Sequence, residues 1–243
     1  MTIERRNFPQ FFITAPSPCP YLPGKQERKV FTHLIGSDSR ALNTALSQGG
    51  FRRSQNIAYR PACDGCQACS STRIPVESFE WTKSFKRVIR KNSDVSSKFI
   101  KARATSEHYS TFRSYIDTRH SEGGMADMSV YDFAAMVDDS VADSNIAEYR
   151  LGANSIHAGE LIGAALVDVL GDGLSMIYSF YEPSFAYRSL GTLMILDTIR
   201  RAQQLKLPYV YLGYFVKGSK KMDYKAKFKP QQRLTPDGWI NHI

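Results

Sequence analysis

Apolar positions along this chain change their period twice, and the changes predict where its elements lie. Up to about residue 78 no period is sustained, because prolines at 9, 16, 18, 20 and 23 interrupt regular structure early on. Ser39 to Leu46 predicts a short helix with Ala41, Leu42, Ala45 and Leu46 on one face, ended by Gly49-Gly50. Asn56 to Tyr59 and Thr72 to Val76 read as short strands. A helical period then takes over. Trp81 to Asn92 reads as a basic helix that resumes over Val95 to Arg103. Ser106 to Arg119 places Tyr109, Phe112, Tyr115 and Ile116 on one helical face, and Ser129 to Val137 repeats the pattern after Gly123-Gly124. From residue 146 strands follow: Ile146 to Leu151, Gly159 to Leu170 and Gly173 to Tyr181, the last two joined through the hairpin turn Gly171-Asp172-Gly173. Leu190 to Leu205 reads as a helix and Tyr209 to Phe215 as a fourth strand. Strands in succession, then strand–helix–strand, describe an α+β fold with a mixed sheet. The irregular cysteine-containing stretch is expected as an N-terminal domain over residues 1–78, with residues 79–243 as the second.

Composition narrows the class. With 42% apolar and 12% aromatic residues among 243, the chain can bury a sizeable core, which excludes a disordered tail, a collagen-like repeat and a disulfide-stapled miniprotein. The most apolar window, Leu161 to Phe180, is interrupted by Asp168 and Asp172, so no membrane span is expected. The opening MTIERRNFPQFF has neither a continuous apolar core nor a small-residue cleavage site, and the expected location is the cytoplasm. The net charge of +9 is segregated. Residues 1–120 carry 20 basic and 9 acidic side chains, residues 121–180 carry 1 and 10, and residues 181–243 carry 11 and 4. The two flanking thirds therefore suit a polyanionic partner.

Two basic clusters sharpen that partner. Lys83, Lys86, Arg87, Arg90 and Lys91 crowd one broad helical face, where like charges repel unless a polyanion neutralises them. The second cluster, KGSKKMDYKAKFK, contains Lys217, Lys220 and Lys221 and interleaves its cations with Tyr224 and Phe228. Cations alternating with aromatics suit a single-stranded RNA end, whose phosphates need charge and whose unstacked bases need a flat partner.

Cysteine spacing adds a candidate ion site. Cys63, Cys66 and Cys69 form two consecutive C-x-x-C pairs, and Cys19 upstream would complete four thiolates for tetrahedral zinc or an iron–sulfur cluster. A reduced-thiol reading stands beside it, and disulfides do not suit a cytosolic chain.

SFYEPSFAYRSLGTLMILDTIRR is a strand, a turn and a helix start, where free backbone N–H groups and the helix dipole favour an anion. Arg188-Ser189-Leu190-Gly191 resembles the pyrophosphate loop of GNAT acyltransferases, but Leu193 stands where that motif has Gly or Ala and would crowd acyl-CoA. Tyr181, Tyr187, Tyr214 and Tyr224 are candidates to line a cavity nearby.

Together with YVYLGYFVKGSKKMDYKAKFKP, GFRRSQNIAYRPACDGCQAC and KSFKRVIRKN, these runs resemble the aminoacyl-tRNA–protein transferases of the N-degron pathway over nearly the whole chain. The C-x-x-C-x-x-C pattern and short length are similar to the bacterial aspartate/glutamate leucyltransferase branch. The resemblance implies a GNAT-like C-terminal domain that accepts charged tRNA instead of acyl-CoA. It implies transfer of leucine to proteins beginning with Asp or Glu, which marks them for degradation, with no cofactor required for the transfer. Lys83, Lys86, Arg87, Arg90, Lys91, Lys217, Lys220 and Lys221 would then bind tRNA. Backbone N–H groups near Leu190 and Gly191 would stabilise the oxyanion, with Glu182 as a general-base candidate. Arg188 and then Lys225 are the candidate cations for the acidic acceptor residue, with Tyr181 and Tyr214 beside the substrate. Arginine transfer, a GNAT N-acetyltransferase and a noncatalytic zinc-containing RNA-binding module are the competing readings.

Overall fold

A computed structural model describes residues 9–242, so the reading of the first eight residues lies outside the described part. The N-terminal region begins with β1 (Phe11–Ile13), β2 (Ser17–Pro18), β3 (Gln26–Glu27) and β4 (Lys29–His33), followed by α1 (Ser39–Gln48), β5 (Arg52–Ser54) and β6 (Ile57–Pro61). β1, β4, β6 and β5 form an antiparallel sheet in that order, and Leu34, Leu46 and Ala58 fill the small core beside it.

The rest of the chain builds one eight-stranded sheet. Its elements are β7 (Cys69–Pro75), α2 (Lys83–Lys91), β8 (Val95–Lys101), α3 (Ser106–Arg119), α4 (Val130–Asp138), β9 (Ser144–Leu151), β10 (Leu161–Leu170) and β11 (Gly173–Tyr181). After a 3-10 turn over Pro183–Arg188 come α5 (Leu190–Gln204), β12 (Tyr209–Val216), a second 3-10 turn over Asp223–Lys227, β13 (Gln231–Thr235) and β14 (Gly238–His242). The strand order is β14-β13-β7-β12-β11-β10-β9-β8. This is the expected α+β architecture with a mixed sheet. β7 belongs to that sheet although it precedes residue 78, so the sheet draws on both expected domains. The expected Thr72–Val76 strand is this one, lengthened at its start.

β10 is almost wholly apolar because both of its faces are covered. Ile162, Ala165 and Val167 pack into a core with Met194, Ile195 and Ile199 of α5. Ala164 joins a second core with Phe112 and Ile116 of α3 and Phe133 of α4. Side-chain caps start three of the helices: Thr82 accepts from the Phe85 amide, Thr105 from His108, and Ser129 forms a capping box with Asp132.

One expected helix is a strand. Val95 to Arg103 does not resume α2; Asn92 ends that helix, and Val95–Lys101 pairs antiparallel with β9 at the sheet edge. Here β-branched Val95 and the run Ser96-Ser97 weaken the helix, while Val95 and Phe99, at even spacing, pack on the core. Lys98 and Lys101 lie on this edge strand, where charge discourages further pairing. The β13–β14 hairpin, turned by Pro236-Asp237-Gly238, does not follow from the periodicity.

The two sheets are tied by a buried ion pair. Arg53 of β5 donates through Nε and Nη2 to the Asp168 carboxylate of β10 at 2.5 and 2.8 Å, and both residues are at most 2% exposed. Asn43 and Ser144 also donate to Asp168, so the carboxylate is fully engaged. Removing one partner strands the other charge. Asp168→Ala should therefore lower unfolding free energy by about 3–5 kcal/mol, read as a lower urea midpoint at unchanged slope.

Candidate active site

The site begins where two parallel strands part. β11 and β12, joined by α5, pair only over Gly173–Ser175 and Tyr209–Tyr211, although β11 runs on to Tyr181 and β12 to Val216. β12 shifts register against β7 between Tyr211 and Gly213, and Gly213 sits at φ 74°, a conformation that favours glycine. The strands thus open into a wedge.

A side chain from the small sheet fills the wedge. Alternation along β5 sends Arg53 to Asp168 and its neighbour Arg52 the other way. Arg52 Nη2 donates to the Met176 carbonyl at 3.5 Å and to that of Ile177, both on β11. On the opposite wall a β-carbon at Gly213 would overlap the Arg52 guanidinium, so glycine is needed here for space as well as for backbone conformation. Arg52 lies near enough to lower the pKa values of Tyr178, Tyr214 and Tyr224, although burial, the larger effect, raises all three.

Lys225 lies in the same place. It is 3% exposed, and its Nζ donates to the Tyr214 carbonyl at 2.5 Å. Burial, helped by repulsion from Arg52, pushes its amine down to about 7 from the ordinary 10.5. The expectation that Lys225 belongs to the site thus meets a buried amine with a direct hydrogen bond.

Tyr181, ending β11, leads from the wedge toward the start of α5. Its ring lies 4.9 Å from that of Tyr115, which lies 5.3 Å from the His120 ring. Burial raises the Tyr115 hydroxyl to about 12, and burial with Lys221 and Arg119 lowers the His120 pKa. A β-carbon on Gly191 would stand 3.9 Å from Tyr181, so this aromatic edge borders the first turn of α5. The amides of Leu190 and Gly191 occupy that turn, where the helix supplies no acceptor; the Leu190 side chain is buried, and Ser189 precedes it in the left-handed region. Glu182 is half-buried at the start of the Pro183–Arg188 turn, its backbone N–H donating to Ile162.

Two expected substrate-binding groups are otherwise engaged. Arg188 grips Asp94 through both terminal nitrogens at 2.7 and 3.0 Å, and this pair holds the Asp94 carboxyl below its ordinary range. A cation neutralised in this way is a poor receptor for an acidic side chain. The Tyr214 hydroxyl donates to the Gly50 and Tyr59 carbonyls, bracing the small sheet against β12. Tyr187 is exposed and Tyr224 is 43% exposed, both open to a ligand.

Basic surfaces flank these groups. Lys83, Lys86, Arg87 and Arg90 form an open basic surface along α2. The same helix is fastened to the turn before α5, since Lys91 donates to the Tyr187 carbonyl at 2.5 Å and Asn92 to that of Arg188 at 3.0 Å. Lys217, Lys220 and Lys221 are exposed beyond β12, with Lys221 close enough to influence His120.

Cys19, Cys63, Cys66 and Cys69 are brought into one neighbourhood. Burial raises the Cys69 thiol to about 11, and each of the other three adds to the effect. Among the described residues no three Cys, His, Asp or Glu side chains converge closely enough to hold an ion. The donor set is soft and its members adjacent, but the ligating distances of a closed site are not formed.

Residues 17–87 match the family described as arginine-tRNA-protein transferase, N terminus, and residues 107–235 match its C terminus. A protein of Nitrobacter hamburgensis called aspartate/glutamate leucyltransferase is 59% identical over 243 residues, covering 99% of this chain and 95% of that protein. One of the same name from Azorhizobium caulinodans is 56% identical over 244 residues, covering 98% of each. The chain belongs to the aminoacyl-tRNA–protein transferases, in the aspartate/glutamate leucyltransferase branch. Among solved structures, FemX is similar over 77% of this chain and 63% of its own, with a TM-score of 0.47 and 11% identity. The transferase's two matched segments meet at the wedge: Arg52 comes from the first, Tyr181, Gly191 and Lys225 from the second.

The sequence does not single out Arg52, Gly213, Tyr115, Tyr178 or His120. Only GFRRSQN hints at Arg52, since adjacent arginines on a strand must face opposite ways.

The depressed Lys225 amine has a thermodynamic signature. Between its folded value of about 7 and the unfolded 10.5, the unfolded chain binds more protons. The lysine is therefore most unfavourable below about pH 7, and the wild type should gain stability relative to Lys225→Met as pH rises through that interval. Urea unfolding of both proteins across it reads the change; a constant difference would contradict a neutral buried amine.

Proposed function

We propose that this chain transfers leucine from leucyl-tRNA to the N-terminal amine of proteins beginning with Asp or Glu. The near full-length identity to aspartate/glutamate leucyltransferases carries this reading. The site's chemistry supports it. An aminoacyl ester is already activated, so the enzyme has mainly to position the reactants and stabilise charge. The acceptor nitrogen attacks the ester carbonyl, a C–N bond forms, and the C–O bond to the tRNA ribose breaks. The proton lost by the amine ends on the ribose hydroxyl.

Holding amine and ester together lowers the barrier by several kcal/mol. The amides of Leu190 and Gly191 receive the developing oxyanion, a contribution of about 3 kcal/mol. An α-amine with a pKa of about 7.7–8.0 is partly deprotonated at neutral pH, so a weak base suffices. Lys225, with its amine near neutrality, can accept that proton; Glu182 is the second candidate, at the end of β11. The charged tRNA lies across the α2 face and the lysines after β12, with Tyr187 and Tyr224 available to stack its terminal bases. Use of charged tRNA as a substrate supports a cytoplasmic location.

Arginine transfer is the second reading, favoured by the description of the matching family. An arginine pocket needs a carboxylate, whereas a leucine pocket needs only apolar walls. We also propose a structural zinc ion or iron–sulfur cluster on the four cysteines, with no step of the transfer routed through it. Metal analysis of anaerobically purified protein should find either, and neither in a Cys66→Ser/Cys69→Ser variant.

Incubation with Asp-, Glu- and Lys-initiated peptides and separately charged leucyl- and arginyl-tRNA should give leucine transfer to the first two alone. Transfer of arginine in preference would overturn the leucine assignment. Reversing Lys83 and Arg87 to Glu should weaken tRNA binding and flatten its log–log salt dependence by roughly 0.7–0.9 for each phosphate no longer neutralised. An unchanged slope would remove α2 from the interface.

A further inference from the structure

We propose that Arg52 is the receptor for the acidic side chain of the acceptor's N-terminal residue. The inference rests on the transferase reading and adds the residue that makes it selective.

Comparison of the cations around the site leads to Arg52. Arg53 is paired with Asp168, and Arg188 with Asp94. Arg73 is sandwiched between the rings of Tyr209 and Trp239 at 3.6 and 4.2 Å and donates to Gln232 and Tyr211. Arg233 lies 3.6 Å over the Phe215 ring and donates to Gln231. Arg52 differs. Like Arg73 and Arg233 it meets no carboxylate among the described residues, but it is stacked on no ring within reach and its partners are two backbone carbonyls, both reached through Nη2. A guanidinium carries five N–H donors, more than its two carbonyl contacts use.

Position agrees with this capacity. Arg52 stands half-buried between two diverging strands, near enough to Tyr178, Tyr214 and Tyr224 for its charge to oppose the rise that burial gives their hydroxyls. Water is partly excluded there, which makes an unpaired charge costly and a matching carboxylate correspondingly favourable. The guanidinium is also held in place before any ligand arrives: β11 carbonyls fix one side, Gly213 gives it room on the other, and Arg53 anchors the strand that carries it. A preorganised planar fork is what two-point recognition of a carboxylate requires. Lys225 lies within electrostatic reach of the same guanidinium.

An amide side chain has nearly the shape of the carboxylate and lacks its charge. Discrimination of Asp from Asn, and of Glu from Gln, should then rest on Arg52 and amount to roughly 10–100-fold in kcat/KM, the range expected for a hydrogen bond to a charged group.

The test compares wild type, Arg52→Gln and Arg52→Lys on peptides that begin with Asp, Asn, Glu or Gln, with leucyl-tRNA binding measured separately without peptide. Arg52→Gln should raise KM for the acidic peptides and bring the Asp/Asn ratio near one, while leucyl-tRNA affinity stays unchanged. Where Arg52→Gln does not fold, Arg52→Lys keeps the cation and loses the fork: KM for acidic peptides rises and a preference for them persists. Unchanged acidic selectivity in Arg52→Gln, or unchanged KM in Arg52→Lys, overturns the assignment. Weaker leucyl-tRNA binding with intact selectivity also overturns it and makes Arg52 a phosphate ligand. A wild type inert toward all four peptides overturns the transfer reading itself, which is a separate outcome from wild-type transfer whose selectivity survives the loss of Arg52.

Discussion

The buried pair of Arg53 and Asp168 is the interaction on which the site's construction depends. Two ions this deep are held only because the carboxylate also receives hydrogen bonds from Asn43 and Ser144. Its effect is positional. β5 is three residues long and lies at the edge of the small sheet, so its own ladder hydrogen bonds with β6 do not direct it toward the large sheet. The ion pair fixes the strand against β10, and strand alternation then determines where Arg52 must point. The hydroxyl of Tyr214 reinforces the junction from the other sheet through the carbonyls of Gly50 and Tyr59. An element outside the large sheet thereby completes a cleft within it.

The cleft in turn depends on backbone geometry. Here the register shift at Gly213 bends β12 away, and the freed carbonyls of β11 find a donor in Arg52 instead of in the neighbouring strand. The wedge therefore satisfies its own backbone on one side and remains open to a ligand on the other. Where buried carbonyls would otherwise lack partners, one guanidinium both satisfies them and adds positive charge to the pocket.

Much of this is legible in the sequence. The strands from Ser144 to Tyr181 and the α5 crossover follow directly from apolar runs, glycine turns and helical spacing. The basic α2 and the aromatic–glycine turn are visible as local patterns for the same reason. β8 reads as a helix because basic residues at helical spacing look alike on a helix and on a charged edge strand; the difference lies in Val95 and Phe99, two turns of alternation apart and facing one core. Arg188 illustrates a deeper limit. In sequence it stands in the right turn with the right chemistry, and only its distant partner Asp94 shows that its charge is already met. Arg52 is the reverse case, an unremarkable residue locally whose isolation from carboxylates exists only in three dimensions.

Charge segregation acquires its meaning from the same distinction between paired and unpaired groups. Part of the acidic segment from residue 121 to 180 is engaged inside the fold. Asp168 and Glu148 are buried against Arg53 and His108, Asp143 meets Lys101, and Asp132 caps α4. Several of its carboxylates thus neutralise cations from the flanking segments or satisfy backbone donors inside the fold. Lys83, Lys86, Arg87, Arg90, Lys217, Lys220 and Lys221 take part in none of these pairs. These seven cations on α2 and after β12 thus keep their charge uncompensated within the fold, and each adds to the attraction that a polyanion meets at those surfaces.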